Sequence, residues 1–114
     1  MQTQIENLLE NIKADYINWT THNGTKEISS YTQGVLDNFD IIVEVKHGKK
    51  YIKIVGGVSS GVWGFIVATD DHPKFKKGDI LKAAGYNAPA LNAPRGNILD
   101  GGYTVRWTGP LYLN

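Results

Sequence analysis

Phe39-Asp40-Ile41-Ile42-Val43-Glu44-Val45-Lys46, then His47-Gly48-Lys49, then Lys50-Tyr51-Ile52-Lys53-Ile54-Val55, decides the fold class. Phe39, Ile41, Val43 and Val45 alternate with Asp40, Glu44 and Lys46, a period of two that suits a half-buried strand. Gly48 sits in a short turn, and Lys50–Val55 reads as the returning strand of an antiparallel hairpin. Gly56-Gly57-Val58-Ser59-Ser60-Gly61 forms the next connection, and Val62–Thr69, rich in β-branched and aromatic residues, forms a third strand. Gly64 inside that strand permits a bulge or the close approach of another backbone.

Working outward toward the N-terminus, Thr3-Gln4-Ile5-Glu6 has the form of a capping box. Ile5, Leu8, Leu9, Ile12 and Tyr16 then share one helical face, giving an amphipathic helix with an acidic polar side. Asn18 to Asn38 is polar, is punctuated by Asn23-Gly24 and Gly34, and reads as a long loop or as a loop with one short extended piece around Lys26–Tyr31. Toward the C-terminus, Asp70-Asp71-His72-Pro73 is a turn. Asp79 resembles an N-cap, with Ile80–Ala84 as a short helix stopped at Gly85. Tyr86–Gly102 is irregular. Tyr103–Thr108 is a fourth strand with Tyr103, Val105 and Trp107 on one side, and Leu111-Tyr112-Leu113 adds an edge segment. The expected fold is α+β: an N-terminal helix on a small, twisted, mainly antiparallel sheet, with a short second helix and a long ordered loop. No linker or repeat divides the chain, so 1–114 reads as one domain.

Composition narrows the function classes. A chain of 114 residues with 41% hydrophobic residues can build only a modest core, which favours a homo-oligomer. The absence of cysteine excludes disulfides, thiolate metal sites and a cysteine nucleophile. Without a signal-like N-terminus or a long apolar run, the expectation is a cytoplasmic protein with no membrane partner. The net charge of +1 hides an asymmetry, −5 over residues 1–45 and +6 over residues 46–114. Two oppositely charged faces would draw an anion to the basic one, although halves that pair with each other account for the same pattern.

No catalytic motif stands out. Residues 56–61 lack the Gly-Lys-Ser/Thr of a P-loop and precede a strand, which leaves a flexible connection as the better reading. Ser59, Ser60, His22, His47 and His72 form no nucleophile elbow. Asp70, Asp71 and His72 are adjacent rather than spaced for a metal. No cofactor is expected. The segment 74–107 holds the densest unusual chemistry. Lys77, Lys82, Arg95 and Arg106 would neutralise phosphate. Asn87, Asn92 and Asn97 would read a base or sugar, and Tyr103 or Trp107 would stack. An ordered loop whose asparagines cap its own backbone explains the same residues, and both readings stay open at this level. The near-neutral total charge argues against nucleic acid as the partner.

Lys77-Gly78-Asp79-Ile80-Leu81-Lys82-Ala83-Ala84-Gly85, Ala88-Pro89-Ala90, Arg95-Gly96-Asn97-Ile98 and Tyr103–Leu113 resemble short accessory proteins of large tailed bacteriophages, as do Tyr51-Ile52-Lys53-Ile54 and Val62-Trp63-Gly64-Phe65. The likeness covers the last two thirds of the chain and carries no catalytic residue with it. It implies a protein acting in the host cytoplasm during infection. By analogy with small phage proteins that disable host defence, it implies a sponge that sequesters a phosphorylated small molecule, a nucleotide immune signal foremost. A protein–protein inhibitor of a host defence enzyme is the alternative, and a small nucleotide hydrolase ranks third.

Overall fold

The computed structural model describes residues 1–56 and 61–110, with the backbone alone at positions 40 and 41. The glycine-rich connection at 57–60, with Ser59 and Ser60, and the expected edge segment Leu111–Leu113 lie outside the described residues. Helix α1 runs from Gln2 to Thr20. Its buried positions, Ile5, Leu8, Ile12 and Tyr16, follow the expected stripe. The expected capping box is not formed: the helix begins two residues earlier, with Met1 rather than Thr3 at its N-cap and no side-chain cap. The helix ends where Thr20 and Thr21 hydroxyls donate back to the Ile17 carbonyl and His22, Asn23 and Gly24 all take positive φ. Asparagine and glycine tolerate that conformation at little cost.

The polar stretch that follows is not all loop. Ser30–Asp37 forms helix α2, capped by Ser29, whose hydroxyl accepts from the Thr32 N–H at 3.1 Å. Gln33 donates to Asp37 one turn later at 2.8 Å. This cap holds a helix that carries a glycine and few apolar residues, so Ser29→Ala is expected to destabilise the protein by about 1 kcal/mol. Thermal denaturation checks it, and an unchanged melting temperature would mean the cap contributes nothing.

Phe39–Ile42 is a single helical turn, α3, rather than the start of a strand. The alternation becomes strand only from Val43. β1 (Val43–His47), β2 (Tyr51–Gly56), β3 (Val62–Val67) and β4 (Ile80–Leu81) form an antiparallel sheet in that order. The expected helix at Ile80–Ala84 is replaced by β4 and by β5 (Ala83–Gly85), which pairs with β6 (Ala88–Pro89). Asp79 does not cap a helix there. Its carboxylate accepts from the Lys76 N–H and from Asn97 Nδ2. Ile80 and Leu81 are fully buried, and the Ile80 backbone bonds to Gly96 and Arg95. Long-range pairing on both sides outweighs the local helix preference of Ile-Leu-Lys-Ala-Ala. β7 (Val105–Arg106) turns back into β8 (Gly109–Pro110).

α1 covers one face of the sheet. Ile5, Leu8 and Ile12 of its stripe pack with Phe39, Ile52, Ile54, Trp63, Ile66, Ile80, Ile98 and Val105. On the other side a smaller cluster joins Phe65, Val67, Phe75 and Leu81. Gly64 serves the close approach its position suggests. A Cβ there would lie 3.0 Å from both the Leu81 carbonyl and Pro110 Cγ, so β8 can settle onto β3 only over a glycine. Among the described residues, no helix is long and apolar enough to cross a membrane.

Candidate functional site

The nine residues expected to bind a ligand do not form one constellation. Asn97 is buried and saturated. Its Nδ2 donates to the Lys77 carbonyl and to Asp79, each at 2.9 Å, and its Oδ1 accepts from the Leu99 and Asp100 N–H groups. Lys77 thus contributes its carbonyl to a structural knot. Asn92 accepts from the Ala93 N–H and from Arg95 Nη1, so these two residues hold their own loop. Asn87 lies beside Lys53, from whose ammonium it accepts at 3.2 Å. The Tyr103 hydroxyl accepts from Asn11 of α1. A Cβ on Gly109 would stand 3.7 Å from Lys82 Nζ, which places Lys82 near the β7–β8 turn. Arg106 and Trp107 remain together, and both face a groove.

That groove, about 1090 Å³, lies between the C-terminal end of α1, the first turn of α2 and the β7–β8 turn. Trp107 packs edge-on against Tyr16 at 5.3 Å and tilts against Trp19 at 5.2 Å. Trp19 is 64% exposed and Tyr31 78%, so two large rings of the groove meet solvent. Arg106 Nη1 stands 3.6 Å from Asp15 Oδ1 with most of its side chain exposed. Asp15 Oδ2 accepts the Trp107 N–H at 2.9 Å, so one carboxylate fixes both the backbone of the turn and the guanidinium beside it. Behind them, buried Trp63 donates its indole N–H to the Arg106 carbonyl at 2.9 Å.

These contacts define what the groove can do. Rings offer stacking faces. A guanidinium with five donors, only partly used by Asp15, offers a fork for one anionic group. Asn18, Asn23 and Thr108 add polar edges. The charged side chains among the described residues of the wall are one carboxylate and one guanidinium, which suits a ligand of low charge. Among the described residues no group of three or more histidine and acidic side chains could hold a metal ion. Trp19 is the residue that sequence reasoning missed. It lies three residues beyond Tyr16, so the apolar stripe of α1 continues through it, and it surfaces at the helix end with most of its ring exposed.

Elsewhere, His72 ties a turn together. Its Nδ1 accepts from the Lys74 and Phe75 N–H groups, which leaves the proton on Nε2 to donate to the Tyr51 hydroxyl at 2.9 Å. Burial pushes the Tyr51 phenol above its ordinary pKa. Lys76 pairs on the surface with Asp100 at 2.6 Å, and that hydrogen bond raises its ammonium above the usual lysine value.

No protein-family model, curated protein or solved structure matches this chain.

Proposed function

We propose that the groove binds a flat, phosphorylated small molecule, a nucleotide foremost, and holds it without chemistry. The observation that carries this reading is the exposed pair of rings, Trp19 and Tyr31, beside Trp107 and the Arg106 guanidinium in one open groove. The base would stack on the indole of Trp19 or Trp107, and the phosphate would take the free donors of Arg106. A volume of this order accommodates a nucleotide. Of the residues first expected at the site, Arg106 and Trp107 are retained. Lys77, Lys82, Asn87, Asn92, Arg95, Asn97 and Tyr103 fall outside its lining. A single guanidinium among the described residues of the wall favours a ligand with one phosphate group, a monoester or a diester, over a triphosphate. In an infected bacterium such a protein would act as a sponge for a nucleotide signal, the role suggested by the phage-like segments.

Tryptophan fluorescence titrated with a panel of nucleoside monophosphates and cyclic dinucleotides tests this directly. A member of the panel is expected to quench the emission saturably. Arg106→Ala should weaken that binding about tenfold, the loss of one charge-assisted hydrogen bond, with the melting temperature kept. A panel with no saturable response, or equal affinity in Arg106→Ala, would remove the proposal. The same exposed rings, with Ile28 at 41%, support a second reading, a docking face for a host protein. That reading gains if a purified defence enzyme is inhibited at a fixed stoichiometry while every nucleotide leaves the fluorescence unchanged.

A further inference from the structure

Between Lys46 and Lys53 the chain carries four lysines and no acid. The pairing of β1 with β2 sets Lys46 directly opposite Lys53, and the same row continues through Phe65 to Leu81. Directly opposed residues share a face, here the one turned away from α1. Lys49 and Lys50 stand exposed at the hairpin end, beside Gly48. The turn is tight: the Gly48 N–H donates to the Tyr51 carbonyl at 2.9 Å, and a Cβ on Gly48 would come within 2.8 Å of that oxygen.

None of these four lysines forms an ion pair with a carboxylate among the described residues. Among the described residues the ion pairs are Lys76–Asp100 and Arg106–Asp15. Lys53 is held by neutral groups, the Tyr86 carbonyl and Asn87 Oδ1 at 3.2 Å each, and its ammonium stands 4.0 Å from the Tyr86 ring centroid. These contacts orient the charge without neutralising it. Like charges set directly opposite each other weaken a hairpin, and an anion between them reverses the sign of that interaction. A shallow hollow of about 340 Å³ opens there, lined by Lys46, Lys50, Lys53, Tyr51, Phe65 and Asn87, with no acid among the described residues of its wall. Tyr86 beside it is 53% exposed.

We propose that this outer face of the β1–β2 hairpin binds single-stranded nucleic acid, with phosphates between Lys46, Lys50 and Lys53 and a base stacked on Tyr86. Charge complementarity selects a polyanion. The rings at the hollow select one that presents open base faces, which a strand has and a phospholipid surface lacks. The hollow is open and shallow, as suits a strand that passes across it. The total charge of +1 understates this surface, because the acids that offset it lie largely in residues 1–45, and of these Glu44, two positions before Lys46 on β1, shares the face with the lysines. The site is separate from the aromatic groove, and its test is independent of the nucleotide reading.

Fluorescence anisotropy with a labelled oligothymidylate of about twelve nucleotides, titrated at several salt concentrations, tests it. The wild-type protein should bind, more weakly as salt rises. Lys46→Ser with Lys53→Ser should raise Kd about tenfold at low salt and reduce the slope of log Kd on log salt by about 1.4, the share of two phosphate contacts. Lys26→Ser with Lys76→Ser removes the same charge elsewhere and should stay within about twofold of wild type. Should the strand variant fail to fold by circular dichroism, Lys50→Gln in the turn decides, with a loss of about threefold expected. Absence of salt-dependent binding by the wild-type protein, equal losses in both double variants, an unaltered Kd in Lys50→Gln, or tighter binding to phosphatidylserine vesicles than to the strand would each overturn the proposal.

Discussion

Replacing Asn97 with alanine is expected to lower the free energy of unfolding by about 3 kcal/mol, while Asn92→Ala and Asn87→Ala stay within about 0.5 kcal/mol. The contrast follows from what each amide does. Asn97 uses both donors and both acceptor directions of its side chain, all on the protein itself. Its partner Asp79 is 4% exposed, so the carboxylate would lose a donor that water cannot readily replace. The segment 95–98 lies against β4, through Arg95 N–H to Ile80 O and Ile80 N–H to Gly96 O, and Asn97 fixes its height. Asn92 and Asn87 are exposed, and their contacts are with side chains and loop groups that solvent can substitute. Asn97→Asp should be as damaging as the alanine variant, because it sets a second carboxylate beside Asp79 and removes the donor between them. Urea denaturation of the four variants checks the ranking. If Asn97→Ala kept full stability and lost nucleotide binding instead, the ligand role expected from sequence would be restored.

The sequence was most legible where a repeat of side chains matches a repeat of backbone. Ile5, Leu8, Ile12 and Tyr16 mark α1, and all four are buried. The β-branched runs mark β1, β2 and β3, and Gly64 marks the place where β8 crosses. Helix α2 escaped notice because its signal is polar. Ser29 caps it and Gln33 bonds to Asp37, whereas Gly34 and the preceding Asn-Gly suggest a loop. β4 and β5 were misread for the opposite reason. Asp79 followed by Ile-Leu-Lys-Ala-Ala offers an N-cap residue and a run of helix formers, and pairing with β3 and with residues 95–98 makes it extended instead. The groove draws on segments about ninety residues apart, so no local pattern could assemble it. Arg106 and Trp107 were found by their chemistry. Trp19 and Asp15 acquire their meaning only when the end of α1 reaches the β7–β8 turn.

Trp63 joins the core to that groove, and its replacement should be felt in both. The indole is 4% exposed, sits in the main cluster under α1, and donates to the Arg106 carbonyl. Trp63→Ala empties a large site beneath β7 and is expected to cost about 3–5 kcal/mol, enough to unfold a domain of this size at moderate temperature. Trp63→Phe is the more informative variant. It keeps most of the packing and removes the donor, for an expected loss of about 1 kcal/mol. The Arg106 carbonyl is then left without its indole partner, while Asp15 still holds the Trp107 N–H. The turn becomes anchored on one side only. A nucleotide in the groove should therefore bind Trp63→Phe more weakly than wild type, although Trp63 does not line the groove. Paired measurements of melting temperature and nucleotide affinity separate the two consequences. A stable Trp63→Phe with wild-type affinity would mean that Asp15 alone positions the turn. A stable variant with weakened binding would place the specificity of the groove in the backbone of β7, set from inside the core.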